Sequence, residues 1–195
     1  LEKNQSLQTL YLDNNQIEDN GATELGKSLS KNQSLQILEL SYNRIGDYGA
    51  LALGKGLGKN QSLQTLSLDN NLIGDYGVSE LGKGLANNQS LQELYLYKNR
   101  ISDKGAQYLL YVIELNSNII VLDINHNSVE DYSIISKIKQ KLAWNDRFLP
   151  IFTLSSKISQ HFKAIQGPTD ASNINVNNNK FDMPKLRNLS FNFRN

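Results

Sequence analysis

The sequence predicts an α/β solenoid, a stack of strand–helix units rather than a globule built around one core. Three observations predict it. The phrase Asn-Gln-Ser-Leu-Gln returns with a 28-residue period at Asn4, Asn32, Asn60 and Asn88, and Asn116 keeps the phase with a changed phrase. Each return runs into Leu-x-x-Leu-x-Leu-x-x-Asn-x-Ile, first as Leu7, Leu10, Leu12, Asn15 and Ile17. Each unit then closes with an apolar stripe at helical spacing. A fixed period of this length is the mark of a solenoid, in which each unit touches only its neighbours.

The first element of a unit is a strand. Leu10-x-Leu12 has period two, so both side chains point to one side. Leu38/Leu40, Leu66/Leu68, Leu94/Leu96 and Leu122/Ile124 repeat it, and successive strands pair side by side in a parallel sheet. The turn follows. Asn15, Asn43, Asn71, Asn99 and Asn127 hold one phase there. A carboxamide has two donors and one acceptor, so these residues are expected to bond turn backbone as a structural ladder.

A helix completes the unit. Asp19, Asp47, Asp75, Asp103 and Asp131 precede the helical stripes and read as N-caps of the helices they open. A metal row is the lesser reading, because capping explains the placement before every helix. The inward faces are Ala22, Leu25, Leu29; Ala50, Leu53, Leu57; and Val78, Leu81, Leu85. Gly26, Gly54 and Gly82 recur within them at a cost of about 1 kcal/mol each against Ala. Their recurrence predicts a close approach of helix to sheet.

The fifth unit departs from the pattern. Lys137 and Lys141 fall in the inward phase, and a slip of one position restores Ile134, Ile135, Ile138 and Leu142. A helix with one polar face predicts the C-terminal cap of the stack, with Trp144 covering the end of the core. The domain reading is a solenoid over 1–147, an amphipathic segment over 148–168 with its helix at 151–166, and a mostly disordered tail over 169–195. Leu1 stands in the slot of Leu29, Leu57 and Leu85, so the array is expected to begin mid-repeat, truncated at its N-terminus.

These motifs resemble the ribonuclease-inhibitor type of leucine-rich repeat. That unit type is shared with NOD-like receptors and Ran GTPase-activating proteins. The resemblance covers residues 1 to about 147. It implies a curved horseshoe with parallel strands on the concave face, helices on the convex face, and another protein as partner.

Composition narrows the function classes. Formal net charge is +1, and there are no cysteines, which removes disulfides and thiolate metal sites. The two histidines, His126 and His161, lie in different segments. His126 beside Asp123 lacks the third group an acid–base pair would need, so no catalytic residue, metal or cofactor is expected. Five Asn-x-Ser patterns, at Asn4, Asn32, Asn60, Asn88 and Asn188, are read as duplicated loop residues rather than glycan sites.

What varies between units is the outward strand face and the turn behind it. Tyr11, Asp13, Glu39, Ser41, Tyr42, Asp69, Glu93, Tyr95, Tyr97, Lys98, Asp123 and His126 are therefore the candidate partner-binding residues. On the strands themselves the charges are acidic, and tyrosines lie beside them. Such a face favours a basic or mixed-charge protein or peptide and disfavours nucleic acid. No membrane span is present. The expected function is a non-enzymatic protein–protein interaction module working inside a cell, in its own cytoplasm or in a host cytosol if the chain is a secreted effector. Two alternatives stand beside it. One is a GTPase-activating protein of the Ran-directed type acting through Arg44 or Arg100, and the other is an architectural segment of a larger receptor or secreted bacterial effector.

Overall fold

The computed structural model describes residues 1–148. Strands β1 (Thr9–Tyr11), β2 (Ile37–Glu39), β3 (Thr65–Ser67), β4 (Glu93–Tyr95) and β5 (Val121–Asp123) alternate with helices α1 (Asp19–Leu29), α2 (Asp47–Leu57), α3 (Asp75–Leu85) and α4 (Asp103–Leu115). A further helix, α5, occupies residues 132–148. The strands form one parallel sheet in chain order. Leu10, Leu38, Leu66, Leu94 and Leu122 sit in a single row across it. The helix expected at 151–166 and the tail over 169–195 lie outside the described residues.

The core is the space between sheet and helices. In the second unit Leu35, Leu38, Leu40, Ile45, Leu53 and Leu57 are fully buried, and the third unit repeats this residue for residue. Each such side chain contributes about 1.5–3 kcal/mol on burial. In the first described unit Leu10, Leu12, Ile17 and Leu25 are only partly buried.

Two asparagine ladders stitch the units together. In the turn ladder, Asn43 Nδ2 donates to the Leu12 carbonyl of the unit before at 3.0 Å and to its own Leu40 carbonyl at 3.0 Å. Its Oδ1 accepts the Ile17 N–H at 2.9 Å. Asn71, Asn99 and Asn127 repeat the arrangement one unit on each time. The second ladder is formed by the residues read as loop asparagines. Asn60 Nδ2 donates to the Leu29 carbonyl at 3.0 Å and the Asn32 carbonyl at 2.6 Å. Its Oδ1 accepts the N–H groups of Ser62 and Leu63. Asn32, Asn60 and Asn88 are 0% exposed, so they are internal structure and closed to a glycan in the folded chain.

The aspartates cap differently from expectation. Helix α1 begins at Asp19 itself, after Glu18, which makes no capping bond through its side chain. Asp19 Oδ1 instead accepts the N–H groups of Gly46 at 2.7 Å and Gly49 at 2.9 Å, at the start of α2. Asp47 does the same for Gly74, and Asp75 for Ser102 and Gly105. Each carboxylate thus serves the helix of the following unit, because the stacked helices bring that N-terminus beside it. Asp131, in the last described unit, caps its own helix through the Ser133 N–H at 2.8 Å. The Ser133 hydroxyl, together with that backbone bond, holds the Asp131 carboxyl below its usual range.

The recurring glycines also differ from expectation. A Cβ on Gly26 would collide with the Ala52 carbonyl of α2, and one on Gly54 would meet Glu80 and Leu81 of α3. The close approach is therefore helix to helix rather than helix to sheet. Gly56 and Gly84 complete it, facing the backbones of Gly26 and Gly54. At α4 the pattern stops, and the Tyr108 ring and Val112 pack over Gly82.

Helix α5 turns Ile134 and Ile138 inward and leaves Lys137 and Lys139 exposed. Trp144 is partly buried, with its ring centroid 4.9 Å from that of Phe148 and the Lys141 ammonium 4.3 Å above it. Burial holds Lys141 below the usual lysine range. Next to Trp144, Asn145 is fully buried, and its Nδ2 donates to the Ile119 carbonyl at 2.8 Å.

Candidate partner-binding face

The outward strand face is a grid whose columns are the five strands and whose rows are the register. One row is Tyr11, Glu39, Ser67, Tyr95 and Asp123. The row before it is Thr9, Ile37, Thr65, Glu93 and Val121. Two residues past the last residue of each strand, on the same side, come Asp13, Ser41, Asp69, Tyr97 and Asn125. Neighbouring columns are about 4.8 Å apart. Ser67, which alternates with the inward Leu66 and Leu68, is nevertheless buried, between the larger Glu39 and Tyr95 of the neighbouring strands.

Columns three to five bring most candidates together. Glu93 Oε2 accepts from the Tyr95 hydroxyl at 3.1 Å and from Thr65 Oγ1 at 3.3 Å. Asp69 Oδ1 accepts the Tyr97 N–H at 2.8 Å. The Tyr97 ring lies 4.8 Å from the His126 ring. Asp123 Oδ1 accepts both nitrogens of Asn125. Glu39 lies near enough to act on Asp69 and Tyr95.

The electrostatics follow from that crowding. Burial pushes the Asp69 carboxyl up, and Asp123 and Glu39 add to the push, against the lowering effect of the Tyr97 N–H. Burial likewise raises Tyr95, and the neighbouring carboxylate of Glu93 raises it further. Both groups hold a proton more tightly than usual because negative charge is concentrated with little water around it.

The other candidates stand apart. Tyr11 is 69% exposed on the edge strand, three columns from Tyr95, or about 14 Å. Asp13 bonds the Asn14 side chain at 2.8 Å, and Ser41 offers its carbonyl to the Asn14 N–H at 3.0 Å. Arg44, one residue past the turn ladder, lies 3.9 Å from Glu18, and Arg100 is exposed.

A further property of the turn row escapes sequence reasoning. Asn14, Tyr42, Asn70, Lys98 and His126 all have φ between 51° and 56°. This left-handed conformation suits Asn but costs other side chains about 1–2 kcal/mol. Tyr42, Lys98 and His126 occupy it with their side chains outward. The available signal was Asn at two of the five equivalent positions.

Among the described residues no group of acidic and histidine side chains could hold a metal ion, and no helix is long and apolar enough to cross a membrane.

The family model described as Leucine Rich repeat matches residues 3–26, 31–54, 59–82 and 87–110. No curated protein matches the chain by sequence. Among solved structures the chain is similar to the actin-binding site 2 of leiomodin-1, with a TM-score of 0.68 and 17% identity over 78% of this chain and 88% of that one. It is also similar to the tropomodulin C-terminal domain of Caenorhabditis elegans, with a TM-score of 0.65 and 15% identity over 79% of this chain and 93% of that one. At these identities the shared property is the fold.

Proposed function

Because the chain is a leucine-rich repeat protein, with a unit consistent with the ribonuclease-inhibitor type, we propose that it is a non-enzymatic interaction module whose strand face binds a basic or mixed-charge protein or peptide. The architecture is in general that of a protein-binding scaffold. The finer assignment is supported by one observation, the crowding of Asp69, Glu93, Asp123, Tyr95 and Tyr97 on three adjacent columns.

Three carboxylates around two aromatic rings suit a guanidinium or ammonium group. The acids attract the charge, and the tyrosine rings receive its apolar stem or its planar face. Tyrosine in such a setting adds contact area at small entropic cost. Leiomodin-1's matching domain is an actin-binding site. At 17% identity that likeness transfers the fold and not the partner.

The test replaces Tyr11, Tyr95 and Tyr97 together by Ala and measures capture of a partner recovered with the unaltered protein. Capture should be lost while circular dichroism is unchanged. Retained capture would remove the strand face from the binding site.

A further inference from the structure

One groove among the described residues lies away from the acidic strand face. It has a volume of about 750 Å³ and runs along the N-terminal ends of the strands, across four units. Every lining residue is a Gln or a Ser, so the groove carries no charge and no aromatic ring.

Among the described residues the side-chain chemistry of one row is unused. Ser34 Oγ bonds the Leu7 carbonyl, and the Gln5 and Gln33 side chains accept backbone N–H groups of the next unit. These interactions account for those positions. Gln8, Gln36, Gln64 and Gln92 differ, for their side chains make no hydrogen bond among the described residues, while their backbones pair through Gln36 N to Gln8 O at 2.7 Å and its equivalents. The next position has diverged to Thr9, Ile37, Thr65 and Glu93, yet the Gln is the same in all four units. In the fifth unit Ile120 takes its place, and the row ends.

We propose that this row of carboxamides is a second binding site, for an uncharged peptide segment in the polyproline II conformation. Spacing selects the conformation. The backbone pairing holds the four glutamines at the strand separation, about 4.8 Å, so two steps of the row cover about 9.6 Å. One turn of a polyproline II helix takes three residues and rises about 9.3 Å, nearly the same distance. A β-strand presents one edge every two residues, about 6.8 Å, and falls out of step after the first glutamine. Chemistry agrees with spacing. Polyproline II has no internal hydrogen bonds, so its carbonyls are open to the Nε2 donors. The site is separate from the strand face, and its failure would leave the proposed function untouched.

The probe is an acetylated and amidated peptide of four Pro-Gln-Pro units, titrated into the isotopically labelled full chain and followed by the side-chain amide signals of glutamine. Saturable shifts confined to the groove are expected. Gln36→Ala with Gln64→Ala removes one donor from each of the two registers a polyproline II turn can take on the row, and should weaken binding roughly tenfold through the loss of one hydrogen-bonding side chain in either. Gln36→Glu with Gln64→Glu keeps size and removes the donors, and should weaken it at least as much. Among the described residues these side chains have no hydrogen-bond partners, so circular dichroism should not change. Absent shifts, or shifts indifferent to both variants, would overturn the proposal. So would saturable binding of an N-acetylglucosamine hexamer in place of the peptide, which would make the groove a glycan site.

Discussion

Asp19 Oδ1 and the Gly46 N–H lie 2.7 Å apart, although they belong to different units of the stack. The carboxylate accepts the Gly49 N–H as well, so one acidic side chain serves two orphan donors of the next helix. Removing it should uncouple neighbours as well as uncap a helix. Asp47→Ala and Asp75→Ala should each cost about 1–2 kcal/mol in urea unfolding. Asp75→Ala should be the worse of the two, because Asp75 also accepts from the Ser102 hydroxyl at 2.6 Å.

Asn60 makes bonds on both sides of a unit boundary from a fully buried position. Asn60→Asp keeps an acceptor and loses the donors, leaving two carbonyls unpaired beside a buried charge. A loss of at least about 3 kcal/mol is expected in thermal or urea unfolding. Asn4→Asp, at the exposed equivalent, should change stability by less than about 0.5 kcal/mol. For the same reason, folded protein from a secreting eukaryotic cell should carry a glycan at Asn4 and none at Asn32, Asn60 or Asn88, as read by peptide mass spectrometry.

Asp69 provides a pH test with a definite sign. Its carboxyl is raised in the folded chain, so between the ordinary carboxylate value and the raised one the folded state binds more protons than the unfolded state. Stability contributed by Asp69 is therefore present at and below the ordinary value and is lost as pH rises through the raised value. Asp69→Asn keeps an acceptor for the Tyr97 N–H and removes the charge. It should stabilise the protein at neutral pH by less than about 1 kcal/mol, with no gain under acid conditions. Comparing urea midpoints of both proteins across that range checks it. Capture of a basic partner should weaken in the same variant.

Tyr42 and Lys98 hold a backbone conformation that Asn holds at lower cost. Tyr42→Asn and Lys98→Asn should each raise stability by about 0.5–1 kcal/mol, visible as a higher melting temperature. If these side chains serve recognition, partner capture should fall in the same proteins. A gain in stability with unchanged capture would place both residues outside the binding site.

How much of this could be read beforehand depends on whether the cause is local. The strand pairs Leu38/Leu40 and the helical stripe Ala50, Leu53, Leu57 show their periods in the sequence, and they are buried as those periods require. Asp19 was legible as a cap but not as a cap for its neighbour, because the geometry that decides between two helix starts is tertiary. Asn32 and Asn60 looked like loop residues because they sit among polar neighbours, and only stacking encloses them. Gly26 announced a close approach without naming the surface approached. On the strand face, Tyr95 and Glu93 were recognisable by alternation, whereas the burial of Ser67 depends on side chains from two other strands.

The glycine contacts between α1, α2 and α3 bear on curvature. Strand separation is about 4.8 Å at every step, whereas packed helices ordinarily stand about 8–10 Å apart. A repeat array bends because its outer layer is wider than its inner one, and the bend per unit grows with the difference. Where Gly26, Gly54, Gly56 and Gly84 let backbones meet, that difference is expected to shrink and the bend with it. Where Tyr108 and Val112 pack over Gly82 before α4, a wider outer layer and a sharper bend are expected. The radius of the inner surface is thus written in residues on the opposite side. Gly54→Ala, far from every strand-face side chain, would reshape the surface that a partner meets.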